Sequence, residues 1–308
     1  MAITAAMVKD LREMTGAGMM DCKKALNETN GDMDAAVEYL RKNGQAKAEK
    51  KASRIAAEGL CFVTVVGNKA AVVEVNSETD FVAKNEKFQT FVKEVADHAL
   101  NTKAATIEEF MNDSWEAGKT VNDKQVEMIA VIGEKLSIRR FEVVEETEGC
   151  VVSYVHGGGR IGVIIDAKCD NVNDDIKEAL NNIAMQTAAM YPKYIDRSEI
   201  SADYIAHEKE ILLAQIMNDP KEASKPEKVI QGMIEGRVSK ELKEVCLMDQ
   251  VYVKAEDGKQ TVKQYLDEVG KKAGTTIKIN KFVRFETGEG MEKKNEDFAA
   301  EVAAQMGN

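Results

Sequence analysis

The chain has 308 residues, 44% hydrophobic and 31% charged, with only three prolines; the length predicts about two domains, and the composition excludes a disordered or fibrous chain in favour of a soluble, largely helical globular one. The net charge of −11 disfavours nucleic acid as the main partner, because a phosphate backbone calls for clustered Lys and Arg. No run approaches the ~20 apolar residues of a membrane span, and the opening MAITAAMVKDLREM lacks the apolar core of a signal peptide, so the cytoplasm is the expected compartment.

The first 55 residues predict a small helical bundle, residues 1–55. Thr4 caps a helix carrying Met7, Val8, Leu11 and Met14, which TGAG (Thr15 to Gly18) breaks. A second helix uses Met19, Met20, Cys22, Ala25 and Leu26 and stops near NETNGD; a third uses Met33, Ala36, Val37 and Leu40 and stops at the glycine of KNG. Helices this short are not stable singly, so they must pack together. Residues 45–57 then read as a polar connector, and its basic stretch KAEKKASR (Lys47 to Arg54) as a solvated linker helix.

The rest of the chain contains an internal repeat. EGLCFVTVVGNKAAVVEVN from Glu58 resembles EGCVVSYVHGGGRIGVIIDAK from Glu148; each predicts a β-hairpin followed by a helix, with Phe88, Phe91, Val92 and Val95 in one copy and Ile176, Leu180 and Ile183 in the other. The two copies end on Arg140-Phe141-Glu142 and Arg284-Phe285-Glu286. Their wider separation means that the second copy carries an insertion, and residues 201–237 supply it as a helical hairpin bent at NDPKEASKP. At ~1.5 Å per residue, arms of about 15 residues project roughly 22 Å. The expected fold is therefore α+β: the bundle, a first β/helix subdomain over 56–147, a second over 148–200 and 238–287 bearing the hairpin, and a module over 288–308 with a short helix in Glu296 to Met306.

Catalytic signatures are scarce. The five cysteines are scattered, odd in number and without a CxxC pair, which predicts buried thiols and no disulfide framework. None of the three histidines sits at zinc-ligand spacing, and neither G-x-S-x-G nor a P-loop occurs. His98 and His207 read as surface residues on helices, whereas His156 projects from the glycine-rich turn YVHGGGR. Glu74, Glu78 and Asp80 share a strand face if the strand runs that far, so a metal or acid/base site is one reading of EVNSETDF. The same stretch raises a second question: Thr79 or Asp80 predicts a helical cap with Phe81 folded back on the core, or else the chain presents Phe81 outward as an interface anchor beside a carboxylate.

LREMTGAGMMDCKKAL (Leu11 to Leu26) and EVNSETDFVAK (Glu74 to Lys84) resemble the two signatures of the translation elongation factor Ts family, and YVHGGGRIGV, IGEKLSIRRFE and FVRFETGEG extend the resemblance over nearly the whole chain. The resemblance implies a ubiquitin-associated-like N-terminal bundle, a core of two related subdomains, a coiled-coil protrusion and a C-terminal module. It implies a guanine-nucleotide exchange factor, not an enzyme, whose partner is the GTPase elongation factor Tu, with no cofactor or metal of its own and with room for a 2:2 assembly. By the same resemblance, Thr79, Asp80, Phe81 and Val82 push into the partner beside its Mg²⁺ site, while Arg12, Met19, Met20 and Lys23 touch it from the bundle and Ile132, Gly133 and His156 from the core.

Overall fold

Three helices open the described chain, residues 3–292 of a computed structural model; the helix expected in Glu296 to Met306 lies outside the described residues. They are α1 (Ala5–Thr15), α2 (Met19–Glu28) and α3 (Met33–Lys51). Thr4 caps α1 by accepting the Met7 N–H at 3.2 Å, and Gly16 ends it in the left-handed region. Val8, Leu11, Cys22, Ala25, Leu26 and Ala36 form the bundle's own core. Met14, Met19 and Met20 were expected on the buried stripes but are exposed.

Contrary to the expected stop at Gly44, the third helix continues to Lys51. A single glycine costs a helix only about 1 kcal/mol, and the following Gln-Ala-Lys-Ala-Glu-Lys-Lys are strong helix formers. Gly44 is buried, and a Cβ there would stand 3.7 Å from Ala130 and from Val126. The bundle thus docks through α3 onto α7 (Val121–Ile132), with Arg41 paired to Asp123 at 3.1 Å. The basic stretch is spent on internal acceptors: Lys47 pairs with Asp21, Lys51 donates to the Gly133 carbonyl, and Arg54 pairs with Glu78.

Two three-stranded antiparallel sheets follow, alike in order. The first runs β1 (Glu58–Val66), β2 (Lys69–Ser77) and β5 (Leu136–Glu145); the second runs β6 (Gly149–His156), β7 (Ile161–Lys168) and β8 (Lys278–Glu286). In each, the hairpin's second strand lies in the centre and the strand ending the repeat pairs beside it. Gly59 and Gly149 explain the repeated Glu-Gly: a Cβ at either would stand about 2 Å from a carbonyl oxygen of the paired strand, Val75 and Ala167 respectively. Along the chain between β2 and β5 come α4 (Asp80–Ala83), α5 (Glu86–Ala99), α6 (Ile107–Met111), a small ribbon of β3 (Ser114–Glu116) and β4 (Lys119–Thr120), and α7.

The sheets pack face to face. Cys61, Val63, Val72, Val144, Ile164 and Phe285 fill the space between them, while α5 and α7 cover the outer face of the first sheet and α8 (Asp174–Met190) with α12 (Val262–Ala273) that of the second. The central strands are therefore buried on both faces, which is why β2 reads as a nearly continuous apolar run. All five cysteines are buried and unpaired. His98 is half-buried, contrary to the expected surface position, because its ring stacks on Trp115 at 5.1 Å and meets Phe110 edge-on.

The insertion comprises α9 (Ala202–Asn218), a single turn α10 (Pro220–Ala223) and α11 (Glu227–Val245). Pro220 starts α10 where a plain loop was expected, since proline at the first helical position loses no hydrogen bond. The last helix runs unbroken through residue 237 to Val245, and Ile216, Ile234, Val238 and Leu242 bury a seam between the two arms. No helix among the described residues is long and apolar enough to cross a membrane.

Each central strand carries one buried carboxylate at its register shift, facing the opposite sheet: Glu74 in β2 and Asp166 in β7. Asp166 Oδ1 has no donor. Burial first, then the neighbouring Glu146, push its carboxyl up to about 7 against a weaker opposite pull from Lys281; a proton held between the two acids fits this arrangement. Because the unfolded aspartate titrates near ~3.9, the folded chain binds the extra proton between those values, and stability falls as pH rises through that window. Asp166→Asn keeps a donor towards Glu146 and removes the charge. It is expected to raise the melting temperature at pH 8 by roughly a few degrees, with the gain vanishing near pH 4 in the same thermal-melt series.

Candidate functional site

The exit of β2 is held by three polar anchors. Thr79 caps α4 by accepting the Val82 N–H at 3.4 Å, so the expected cap is present. The Glu134 carboxylate, in the turn between α7 and β5, accepts the backbone N–H of Glu78 at 3.1 Å and of Thr79 at 3.0 Å, and the Thr79 hydroxyl at 2.8 Å. In return the Glu78 carboxylate accepts the Lys135 N–H at 2.6 Å and a guanidinium hydrogen bond from Arg54 at 3.2 Å. Lys135 Nζ reaches the carbonyls of Ala52 and Arg54, just beyond α3.

One helical turn offers one inward position here, and Val82 takes it: its side chain is buried against the core of the first sheet. Phe81 points the other way and is 79% exposed; it does not fold back. Of the expected contact residues of this turn, Val82 is therefore withdrawn from the surface, and its side chain belongs to the core. Asp80 is fully exposed beside the ring. A 2.7 Å hydrogen bond from Lys84 holds its carboxyl below the usual range, and the same ammonium lies 5.8 Å from the Phe81 ring centroid.

The remaining expected residues fall into three places. Ile132 is half-buried at the end of α7, and Gly133 caps that helix in the left-handed region, one residue before Glu134. His156 ends β6, exposed, with Nδ1 2.9 Å from the Tyr154 hydroxyl. The turn beyond it, Gly157 and Gly158, borders a groove of ≈ 430 Å³ that also touches Leu60, Asp80, Lys84 and Arg160, so the second hairpin's tip and the Phe81 turn face one space. Arg12, Met19, Met20 and Lys23 lie exposed on α1 and α2, away from Cys22, Ala25 and Leu26. The bundle meets the core at α7, where Gly16 at the end of α1 lies against Val131, and at the end of α3, whose Lys51 donates to the Gly133 carbonyl.

A carboxylate site does not form. Glu74 is fully buried and accepts Arg139 Nη1 at 3.0 Å, Arg140 Nε at 2.5 Å and the Gly288 N–H at 2.8 Å. Glu78 faces Lys135 and Asp80 faces solvent, so the three acids diverge, and among the described residues no group of three metal-ligating side chains exists. Residues 157–162 match G-x-G-x-x-G letter for letter, yet they join two antiparallel strands and open no helix. They therefore lack the helix N-terminus that a dinucleotide loop needs. Sequence reasoning missed Glu134 and Lys135, whose contacts lie 55 or more residues away and leave no periodic trace.

An exposed aromatic on a clamped turn, over a double-sheet core with a helical bundle and a helical hairpin, defines an α+β protein whose candidate site is a protruding surface turn. The profile of the family described as Elongation factor TS matches residues 78–289, more than half of the chain. Over 315 aligned residues the chain is 50% identical to Elongation factor Ts of Trichlorobacter lovleyi, an alignment that covers 100% of this chain and 99% of that protein. The chain belongs to the elongation factor Ts family.

Two stability outcomes follow from these placements. Phe81→Ala is expected to change unfolding free energy by less than about 0.5 kcal/mol, as for other exposed sites, and urea unfolding measures it. Glu74→Gln strands two partly buried guanidinium groups and is expected to cost about 3 kcal/mol in the same assay; a neutral result would show that the acid is not the tie between the sheets.

Proposed function

We propose that the chain is the guanine-nucleotide exchange factor of elongation factor Tu, accelerating GDP release so that GTP can bind during translation elongation. The observation that carries this reading is Phe81, 79% exposed on a turn fixed by Glu134. Membership of the family supports the choice of partner. In this reading the bundle is ubiquitin-associated-like, the two sheet units are related subdomains of one core, and α9 with α11 form a coiled-coil protrusion.

The mechanism is a linkage. A GTPase holds its nucleotide through backbone N–H groups around the phosphates and a bridging Mg²⁺, and the two charges satisfy each other. A protein that binds the empty, metal-depleted form better than the loaded one must weaken nucleotide binding by the same factor. Phe81 is the wedge and Asp80 its polar flank. Octahedral Mg²⁺ tolerates little displacement of its ligands, so a rigid ring pressed between packed elements beside the metal destabilises the loaded state. Arg12, Met19, Met20 and Lys23 on the bundle, with Ile132, Gly133 and His156 on the core, supply binding energy that offsets this distortion.

No covalent chemistry, cofactor or metal of its own enters the reading, so the chain is not an enzyme in the bond-breaking sense. It works in the cytoplasm on a protein partner, without nucleic acid or membrane contact, and the arrangement admits a 2:2 assembly. Stopped-flow release of fluorescent GDP from elongation factor Tu tests it. The chain is expected to accelerate release, and Phe81→Ala to slow the accelerated rate by about tenfold or more, in the range of a lost transition-state contact. Tight binding with an unchanged GDP off-rate would make the protein a scaffold and defeat the proposal.

A further inference from the structure

A wedge deforms another protein only if its own base yields less than its target does. The turn that carries Phe81 is a single helical turn, Asp80–Ala83, too short to be stable on its own hydrogen bonds. Its stiffness must come from outside. We infer that Glu134 is a positioning residue for Phe81 and that, together with Glu78 and Lys135, it joins the wedge to the N-terminal bundle as one rigid unit. The inference rests on the exchange-factor reading and deepens it.

Three features carry it. Glu134 receives three donors from two consecutive residues of the wedge's base: the Glu78 and Thr79 N–H groups on Oε2, and the Thr79 hydroxyl on Oε1. Such charge-assisted bonds are shorter and about twice as strong as neutral ones, and two carboxylate oxygens fix direction as well as distance. Thr79 in turn caps the turn through the Val82 N–H, which passes the constraint directly to the residue after Phe81. The clamp is also reciprocal. The Glu78 side chain crosses back to the Lys135 N–H while the Lys135 ammonium reaches the carbonyls of Ala52 and Arg54, and Arg54 closes the circuit on Glu78.

The circuit gives a route between two sets of contact residues. Force on the bundle passes along α3, a continuous 19-residue helix, to Lys51, Ala52 and Arg54. It then reaches Gly133 and Lys135 and, one residue away, the carboxylate under the wedge. The bundle's grip on a partner and the thrust of the ring are thereby applied through one body. Removing the clamp should leave the bundle's grip and lose the thrust.

The test separates rate from affinity. Release of fluorescent GDP from elongation factor Tu is measured against increasing concentrations of wild type, Glu134→Ala and Glu134→Gln. For Glu134→Ala the maximal rate is expected to fall about tenfold or more, since a displacement of about 1 Å at a working group costs up to about a hundredfold, while the half-saturating concentration moves less than about threefold. Glu134→Gln still offers an oxygen to the two N–H groups and is expected to recover most of the rate, which a general loss of folding would not produce. Should Glu134→Ala fail to fold, as judged by its thermal melt, Glu134→Asp retracts the carboxylate by one methylene and is read the same way. A wild-type maximal rate in the alanine or aspartate variant overturns the clamp, as does an equal loss in the glutamine variant. If wild type itself fails to accelerate release, the exchange-factor reading falls first, and the two failures are thus distinct.

Discussion

The orientation of one short turn at the exit of β2 decides what this protein can present to another. The strand is covered on both faces, by α5 on one side and the second sheet on the other, so the chain leaves it with a single inward position still to fill. Val82 fills that position and Phe81 cannot share it, because neighbouring residues on a helical turn point about 100° apart. Leaving a phenylalanine in water forgoes roughly 1.5–3 kcal/mol of burial. The Glu134 clamp holds the backbone that imposes this orientation, and the unfavourable exposure of the ring is the feature that a partner's surface would relieve.

The two central strands solve a common problem with different chemistry. Each carries a carboxylate beside a register shift whose extra residue, Arg139 or Asn280, lies on the neighbouring edge strand, and each faces a cation on that strand: Glu74 across from Arg140, Asp166 across from Lys281. Glu74 is satisfied by two arginines and by the backbone N–H of Gly288, so it pins the segment after β8 to the first sheet. Gly288 has to be glycine for this, since a Cβ there would stand 2.1 Å from the Ala57 carbonyl oxygen. Asp166 has no such guanidinium and meets another acid instead. Glu74 is thus held by charge pairing, whereas burial and the neighbouring Glu146 raise the Asp166 carboxyl.

Much of the fold was legible because it repeats or alternates. The paired Glu-Gly and Arg-Phe-Glu segments located two hairpins and the strands that complete their sheets, and β-branched runs around glycine-bearing turns marked β1, β2, β6 and β7. The places where reading failed share a cause: a tertiary neighbour overrode a local signal. Gly44 reads as a stop, but α7 lies against it and the helix continues. His98 reads as surface, but Trp115 and Phe110 fold over it from elsewhere in the chain. Met19 and Met20 read as core, yet Cys22, Ala25 and Leu26 already fill the bundle and leave them outside. The carboxylates of EVNSETDF illustrate the limit most clearly, since shared strand parity holds only while the strand lasts, and it ends at Ser77.

The exposure of Phe81 was a question that residue pattern alone left open, and the structure shows why. A capped helical turn was compatible with either outcome, since capping by Thr79 fixes where the turn begins but not which of two adjacent apolar residues faces in. That choice depends on the angle at which the turn leaves the sheet. The angle is set by Glu134 and Lys135, which approach from the far end of α7, and by Arg54 beyond α3. Two separate segments therefore determine the direction of one side chain. A ring aimed in this way resists displacement in proportion to the stiffness of both, whereas a ring on a free loop would bend aside before it moved anything else.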